Sequence, residues 1–235
     1  MKKRGKIIVI VLLVIVLIYL LPFIVYALGN NNTRQFMFEQ VEYKELCDSI
    51  TKDAKTDSAK IMQVYEYVSN HCRQPQGNEN PKYNNTYDVL TNKVASCDQQ
   101  VWLMNTMLGT MDISAEMLFL YGYDSISHHT VSIVGMLRLD TQGHKSMLDP
   151  FYHLYFLNKD GKIAIMSEIT EGNIRMPDKP LPPRYLDLYK PDYPYKRHSH
   201  NNAISTERKY VRNMIRLYTL WLGKAFTGPF RALHN

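Results

Sequence analysis

Three residues able to run acyl-transfer chemistry occur in this chain in a useful order: Cys97, His129 and Asp149. A thiol attacks a carbonyl only as its thiolate. Its pKa, about 8.5 when free, falls to roughly 3.5–7.5 beside an imidazolium or at a helix N-terminus. In "NKVASCDQQVWLMNTMLGTM", Cys97 precedes polar Asp98, Gln99 and Gln100, and an apolar face of Val101, Trp102, Met104, Leu108 and Met111 follows. That pattern marks a helix start. Backbone N–H groups there favour an anion and can receive an oxyanion. On its own, such a cysteine is more often a small buried residue.

A nucleophile needs a base, and the base needs an acceptor on its far nitrogen. "SHHTVSIVGML" sets His128 and His129 at the start of a strand. Alternation puts His129 on the face of Val131 and Ile133, and His128 with Thr130 and Ser132. The buried face is expected to pack against the Cys97 helix, which selects His129 as base and leaves His128 at the surface. Asp149 in "SMLDPF" falls on the next strand, across a predicted hairpin, where neighbouring side chains come within reach. Taken singly, His129 is a satisfied core histidine and Asp149 an Asp-Pro turn. Helix start, strand and adjacent strand, in that order, make a set.

The elements that must hold this set follow from periodicity. Phe36 to Ile50 has helical spacing (Phe38, Val41, Tyr43, Leu46, Ile50) and reads as a stalk helix. "TDSAKIMQVYEYVSNHC" is a second helix, capped by Thr56 or Asp57, with Ile61, Tyr65, Val68 and Cys72 as its stripe. "RQPQGNENPKYNN" is a loop. Beyond Ala115 the period changes from 3.6 to 2, and "AEMLFLYGY", "HTVSIVGML" and "KSMLDPFYHLYFLN" read as strands, with "DTQGH" and "KDGK" as turns. "KPLPPRYLDLYKPDYPYKRHSHNN" reads as extended and surface-wrapping. A last helix runs from about Ser205 to Phe226. Helices followed by an antiparallel sheet define an α+β domain.

With these residues in view, "DSAKIMQVYEYVSNHC", "DVLTNKVASCDQQVWLMNTMLGTMDISAEMLFLYGY", "HHTVSIVGML" and "MLDPF" resemble the transglutaminase-like domain of the papain-like cysteine-enzyme superfamily, over roughly Asp57 to Tyr155. The resemblance implies a nucleophile helix packed on an antiparallel sheet, with Cys97 as nucleophile, His129 as base and Asp149 as its orienting partner. It implies a protein or peptide substrate and a thioester resolved by water (peptidase or amidase) or by an amine (transglutaminase). Hydrolysis is preferred, since no acceptor-amine site is apparent. Ser96 stands where the family often has Gly or another small residue before the Cys, and Val131 stands where an aromatic often follows the His. No cluster resembles the calcium sites of animal transglutaminases, so neither a metal nor a cofactor is expected. His198 and His200 lack a third ligand. The other reading is a non-catalytic module of the same fold, binding a partner in an envelope or polysaccharide assembly.

The chain ends carry a different message. "MKKRGK" precedes an uncharged apolar run from Ile7 to Leu28, which as a helix reaches about 33 Å against a hydrocarbon core of roughly 30 Å. It reads as an uncleaved signal-anchor or as a signal peptide with Val25-Tyr26-Ala27 at its cleavage site; its length favours the anchor. The resulting plan has a cytoplasmic basic end (1–6), a transmembrane segment (7–28) and a linker with stalk helix (29–56). The domain (57–178) follows, then a Pro/Tyr-rich segment (179–204) and a basic amphipathic helix (205–235). The domain is expected on the periplasmic or extracellular side of a bacterial membrane.

The net charge of +6 is unevenly shared. Residues 34–179 hold 14 Lys+Arg against 19 Asp+Glu, and residues 184–235 hold 10 against 3. Basicity at the ends alone points to an anionic membrane surface rather than to nucleic acid. The last helix sets Val211, Met214, Ile215, Tyr218, Trp221, Leu222 and Ala225 on one face and Arg208, Arg212 and Arg216 on another, suited to a membrane interface or to docking on the domain. In an exported protein, three cysteines suggest one pair and one free thiol; Cys47 and Cys72, both on predicted helices, could pair, and the sequence does not give their separation. The N-x-T sequons at Asn31 and Asn84 matter only in a eukaryotic secretory pathway.

Overall fold

A computed structural model describes residues 2–121, 127–135, 145–190, 195–198 and 206–234. The turn expected over Asp140–His144, the side chains of His128 and His198, and His200 lie outside the described residues. The chain divides into two compact units, Met1–Glu45 with Ser205–Asn235, and Leu46–Ile204.

The first unit is helical. α1 (Lys2–Leu28) holds the apolar run, and Lys6–Leu28 is long and apolar enough to cross a membrane or to act as a signal. α2 (Asn31–Ile50) follows almost at once, so the polar linker expected after the apolar run shrinks to Gly29 and Asn30. Gly29 closes α1 through its N–H to Val25 O, where a side chain would meet that carbonyl at 2.9 Å. Asn30 caps α2 by accepting from Thr33 N at 2.9 Å. Arg34 then donates to Tyr26 O at 3.0 Å and to Ala27 O at 2.7 Å, satisfying carbonyls in the last turn of α1.

The single C-terminal helix expected from the sequence is two helices, α7 (Thr206–Leu222) and α8 (Lys224–His234), because Gly223 adopts a positive φ of 48°. Tyr26, Met37, Val41, Val211, Ile215, Phe226 and Phe230 form the core of this unit. Arg231 pairs with Glu42 and Glu45 on α2.

The second unit is α+β. α3 (Asp57–His71) is capped by Thr56, whose hydroxyl accepts from Ala59 N, and it buries Ile61, Val64, Tyr65 and Val68. α4 (Thr86–Asn92) is short; α5 (Cys97–Thr110) is almost wholly buried beyond its first turn. β1 (Ala115–Tyr121), β2 (Ser127–Gly135), β3 (Lys145–Leu148) and β6 (Tyr195–His198) make an antiparallel sheet in the order β3-β2-β1-β6. β4 (Leu157–Asn158) and β5 (Ile174–Arg175) flank α6 (Met166–Thr170) as a small ribbon.

Two expectations are corrected here. The long strand read from Lys145 to Asn158 breaks at Asp149-Pro150. Pro150 offers no N–H to a ladder, and Asp149 Oδ1 accepts from Tyr152 N at 3.1 Å, closing a turn. The Pro/Tyr-rich stretch is not merely surface-wrapping. It contains a 3-10 helix, Tyr185–Tyr189, whose two tyrosines are buried in the main core with Leu118, Leu120, Val131, Ile133, Leu154 and Phe156. The prolines fix the approach, and the aromatic rings supply the burial.

Candidate active site

Cys97 is the first residue of α5 and is partly exposed. The turn that presents it is tied at several points. Gln99 Oε1 accepts from Ser96 N at 3.0 Å, the glutamine half of a capping box. Gln99 Nε2 donates to Pro81 O at 2.9 Å, Gln100 Nε2 to Ala95 O at 3.1 Å, and the Ser96 hydroxyl to the Asp98 carboxylate.

His129 is buried at the start of β2. Its neighbours differ from those the alternation suggested. The His129 face of the sheet, with Val131 and Ile133, packs against Phe156, Tyr185 and Tyr189. The opposite face meets α5, through the Ser132 hydroxyl donating to Asn105 Oδ1 at 2.6 Å. His129 still reaches the helix start.

Nε2 of the imidazole pairs with Asp149 Oδ2 at 2.6 Å, and Cys97 acts on the ring as a second hydrogen-bonding and charge partner. Burial pushes the imidazole pKa down, but hydrogen bonds and charge from Asp149 and Cys97 outweigh it and raise it to about 9. The ring is therefore largely an imidazolium at neutral pH.

Asp149 is fully buried. It follows Leu148, which pairs with Ser132, so its side chain falls on the face of Val131 and His129. A buried carboxylate is tolerable only when charge and hydrogen bonds compensate. Three donors do so: His129, Tyr152 N, and the Tyr185 hydroxyl, which shares Oδ2 with His129. The Tyr189 hydroxyl donates in turn to Tyr185 at 3.0 Å. Burial, then the neighbouring Tyr189 and Asp149, push the Tyr185 phenol well above its usual pKa, so it stays protonated and donates.

The turn carrying Asp149 is held from several sides. Asp149 and Leu154 exchange backbone hydrogen bonds of 2.9 Å, and Gln74 Nε2 holds Phe151 O at 2.8 Å. Lys179 Nζ bonds Tyr152 O and His153 O, and His153 pairs with Glu66 at 2.7 Å. Phe151, Tyr152 and Tyr185 wall the imidazole at ring separations of 5.9, 4.9 and 5.7 Å.

All three residues singled out by sequence are thus in one cluster. Tyr152, Tyr185 and Tyr189 were missed. The i, i+4 tyrosines of "YLDLY" between prolines were the available signal. The Cys47–Cys72 bridge that the sequence allowed is not formed: both residues are buried as thiols, and burial pushes Cys72 up to about 11. Cys47 is occupied by Met107 O and the Thr110 hydroxyl, each at 3.6 Å. A shallow apolar depression of about 540 Å³, lined by Ile50, Met62, Tyr67 and His71 among others, contains none of the three site residues. Among the described residues, no cluster of three His, Cys, Asp or Glu side chains is arranged to hold a metal.

The fold is an α+β domain that brings a thiol, an imidazole and a carboxylate into one cluster. Residues 44–147 match the family model for the transglutaminase-like superfamily core, so the chain carries a transglutaminase-like domain. Two solved structures resemble it. One is a candidate protease from Parabacteroides distasonis (16% identity, TM-score 0.37), matched over 46% of this chain and 23% of that one. The other is a candidate cysteine protease from Cytophaga hutchinsonii (13% identity, TM-score 0.39), matched over 59% of this chain and 47% of that one. The chain therefore spans under half the length of either. No curated protein matches it significantly.

Proposed function

We propose that this protein is a membrane-anchored thiol acyl-transfer enzyme that cleaves amide bonds, with Cys97 as nucleophile, His129 as general base and acid, and Asp149 as the group that orients His129. The observation that carries the reading is the imidazole hydrogen bonded to a buried carboxylate on one side and to a partly exposed helix-start thiol on the other. Cys97 Sγ attacks the amide carbonyl carbon, and N–H groups at the start of α5 receive the developing oxyanion. His129 passes its proton to the leaving amine as the C–N bond breaks, leaving a thioester on Cys97. A water then gives its proton to His129 and attacks the thioester, releasing the acid and restoring the thiol. An amine in place of water would give transfer, and hydrolysis is favoured because water needs no second site.

We further infer that α1 is retained as an uncleaved anchor, with the domain on the non-cytoplasmic side of the membrane. Tyr26 is 8% exposed and packs with Phe226 and Phe230, so removing α1 after Ala27 would strip the first unit of part of its core.

The test is casein digestion in 18O-labelled water, and separately labelling of casein with a fluorescent primary amine, each against Cys97→Ala. Label at new peptide C-termini that is lost in Cys97→Ala supports hydrolysis, and amine incorporation lost in the same variant supports transfer. If both signals are at the Cys97→Ala background across protein substrates, the non-catalytic binding module takes the place of the enzyme. Intact mass of the membrane-extracted protein, expected to include residues 1–27, tests the anchor.

A further inference from the structure

Two prolines lie inside helices of the first unit, Pro22 in α1 and Pro229 in α8. A proline has no N–H, so each frees the carbonyl four residues earlier, Ile18 O and Ala225 O. Both are taken by a tyrosine from the other side of the helix pair. The Tyr218 hydroxyl of α7 donates to Ile18 O, and the Tyr19 hydroxyl of α1 donates to Ala225 O at 3.5 Å. At a water-exposed helix surface such carbonyls would be hydrated. In hydrocarbon they must find a donor from the protein.

Aromatic contacts extend this reciprocal lock, with Phe23 against Phe226 at 5.6 Å and Tyr26 against Phe230 at 5.0 Å. α7 therefore descends beside α1 to the level of Ile18, the chain turns at Gly223, and α8 rises again past Phe23 to Tyr26.

Length places this hairpin in depth. Ile7 to Ile18 are each at least 50% exposed, and these 12 residues cover only about 18 Å. A hydrocarbon core of about 30 Å needs roughly eight more, which extends it to near Tyr26. Those eight, 19–26, are the stretch on which α7 and α8 pack. The hairpin tip at the level of Tyr19 then lies about 10 Å inside the hydrocarbon edge, the depth of an interfacial helix. Around it Leu217, Leu220 and Trp221 turn outward, Trp221 at 81% exposure. Arg216, Arg212 and Arg208 climb α7 one turn apart, beginning about 10 Å above the tip, where phosphates lie. Lys224 at the tip can carry its ammonium toward the edge on its four-carbon stem.

We propose that α7–α8 is a re-entrant hairpin embedded in the bilayer leaflet on the Leu28 side of α1, with Leu217, Leu220 and Trp221 facing lipid and the α7 arginines meeting anionic headgroups. This rests on α1 crossing the membrane as a retained anchor. The reciprocal tyrosine–carbonyl pairs are what let two proline-containing helices lie together there.

The test uses the full chain in vesicles of phosphatidylcholine with one-third phosphatidylglycerol, with or without bromine on the acyl chains. Trp102 and Trp221 are the only tryptophans, so Trp221→Phe is the blank, and its 81% exposure makes a folding failure no concern. Bromolipid should quench the Trp221 component at least twofold. Ile10→Trp in the Trp221→Phe background reports on α1 separately. If Ile10→Trp is quenched and Trp221 is not, the hairpin proposal fails while the anchor stands. Quenching of neither overturns both. A Trp221 shielded from acrylamide yet unquenched by bromolipid assigns the face to a protein partner and overturns the proposal.

Discussion

Two aromatic clusters organise this molecule, and they use the same residue types in opposite ways. Around Asp149, tyrosine hydroxyls point at charge: Tyr185 donates to the carboxylate and Tyr189 donates to Tyr185. In the first unit, Tyr19 and Tyr218 donate to backbone carbonyls that prolines have freed, and Phe23, Phe226 and Phe230 do the packing. The first cluster makes a buried ion pair tolerable. The second gives the two proline-freed carbonyls, Ile18 O and Ala225 O, a donor along an apolar surface. A tyrosine count shows neither use, because what matters is the acceptor each hydroxyl meets.

Breaking the first cluster should have the larger chemical effects. Cys97→Ala is expected to abolish amide turnover with no change in fold, read by product formation beside circular dichroism. Asp149→Ala leaves a buried imidazolium without its partner and should cost about 3–5 kcal/mol of stability, read from the denaturant midpoint; Cys97 alkylation should slow by well over tenfold. Asp149→Asn keeps the shape and should cost less.

The pH dependence has a definite sign. The His129 pKa is about 9 folded, against about 6.5 unfolded. Its contribution, about 3 kcal/mol by that difference, is complete below pH 6.5 and is lost as pH rises through 9. Wild type should therefore lose stability over that window, and His129→Ala should show a flatter profile.

Tyr185→Phe tests the link between the 3-10 helix and the ion pair. It removes one of three donors to a buried carboxylate and should cost about 1–3 kcal/mol, with a fall in alkylation rate of roughly tenfold. A structural loss alone would lower stability without moving the alkylation rate. The smallest effect on the thiol belongs to the other cluster. Phe230→Ala should cost about 3–5 kcal/mol within the first unit, seen as earlier melting of that unit, and leave the Cys97 alkylation rate within twofold of wild type.

The candidate site was more legible than its surroundings. A thiol at a helix start, a histidine opening a strand and an Asp before Pro could be read from residue types and order, and all three meet in one cluster. Alternation selected His129 over His128, but its stated partner was wrong, since the Ser132 face meets α5. Period-2 patterning says which residues share a face and not what covers it. Asp149-Pro150 looked continuous with its strand because the residues on both sides keep alternating. Tyr185 and Tyr189 were hidden by proline-rich composition, and the helix break at Gly223 by the long amphipathic pattern running through it. The polar run after Leu28 looked like a linker, although Gly29 and Asn30 are a helix stop and a helix cap.

The central claim is that Cys97 is an activated nucleophile paired with His129. Iodoacetamide labelling of the full chain near neutral pH, mapped by mass spectrometry, tests it most directly. Cys97 should alkylate at least tenfold faster than a free cysteine, with buried Cys47 and Cys72 untouched, and His129→Ala should return the rate to that of the free thiol. A Cys97 that alkylates no faster than free cysteine in the folded wild-type chain would contradict the account.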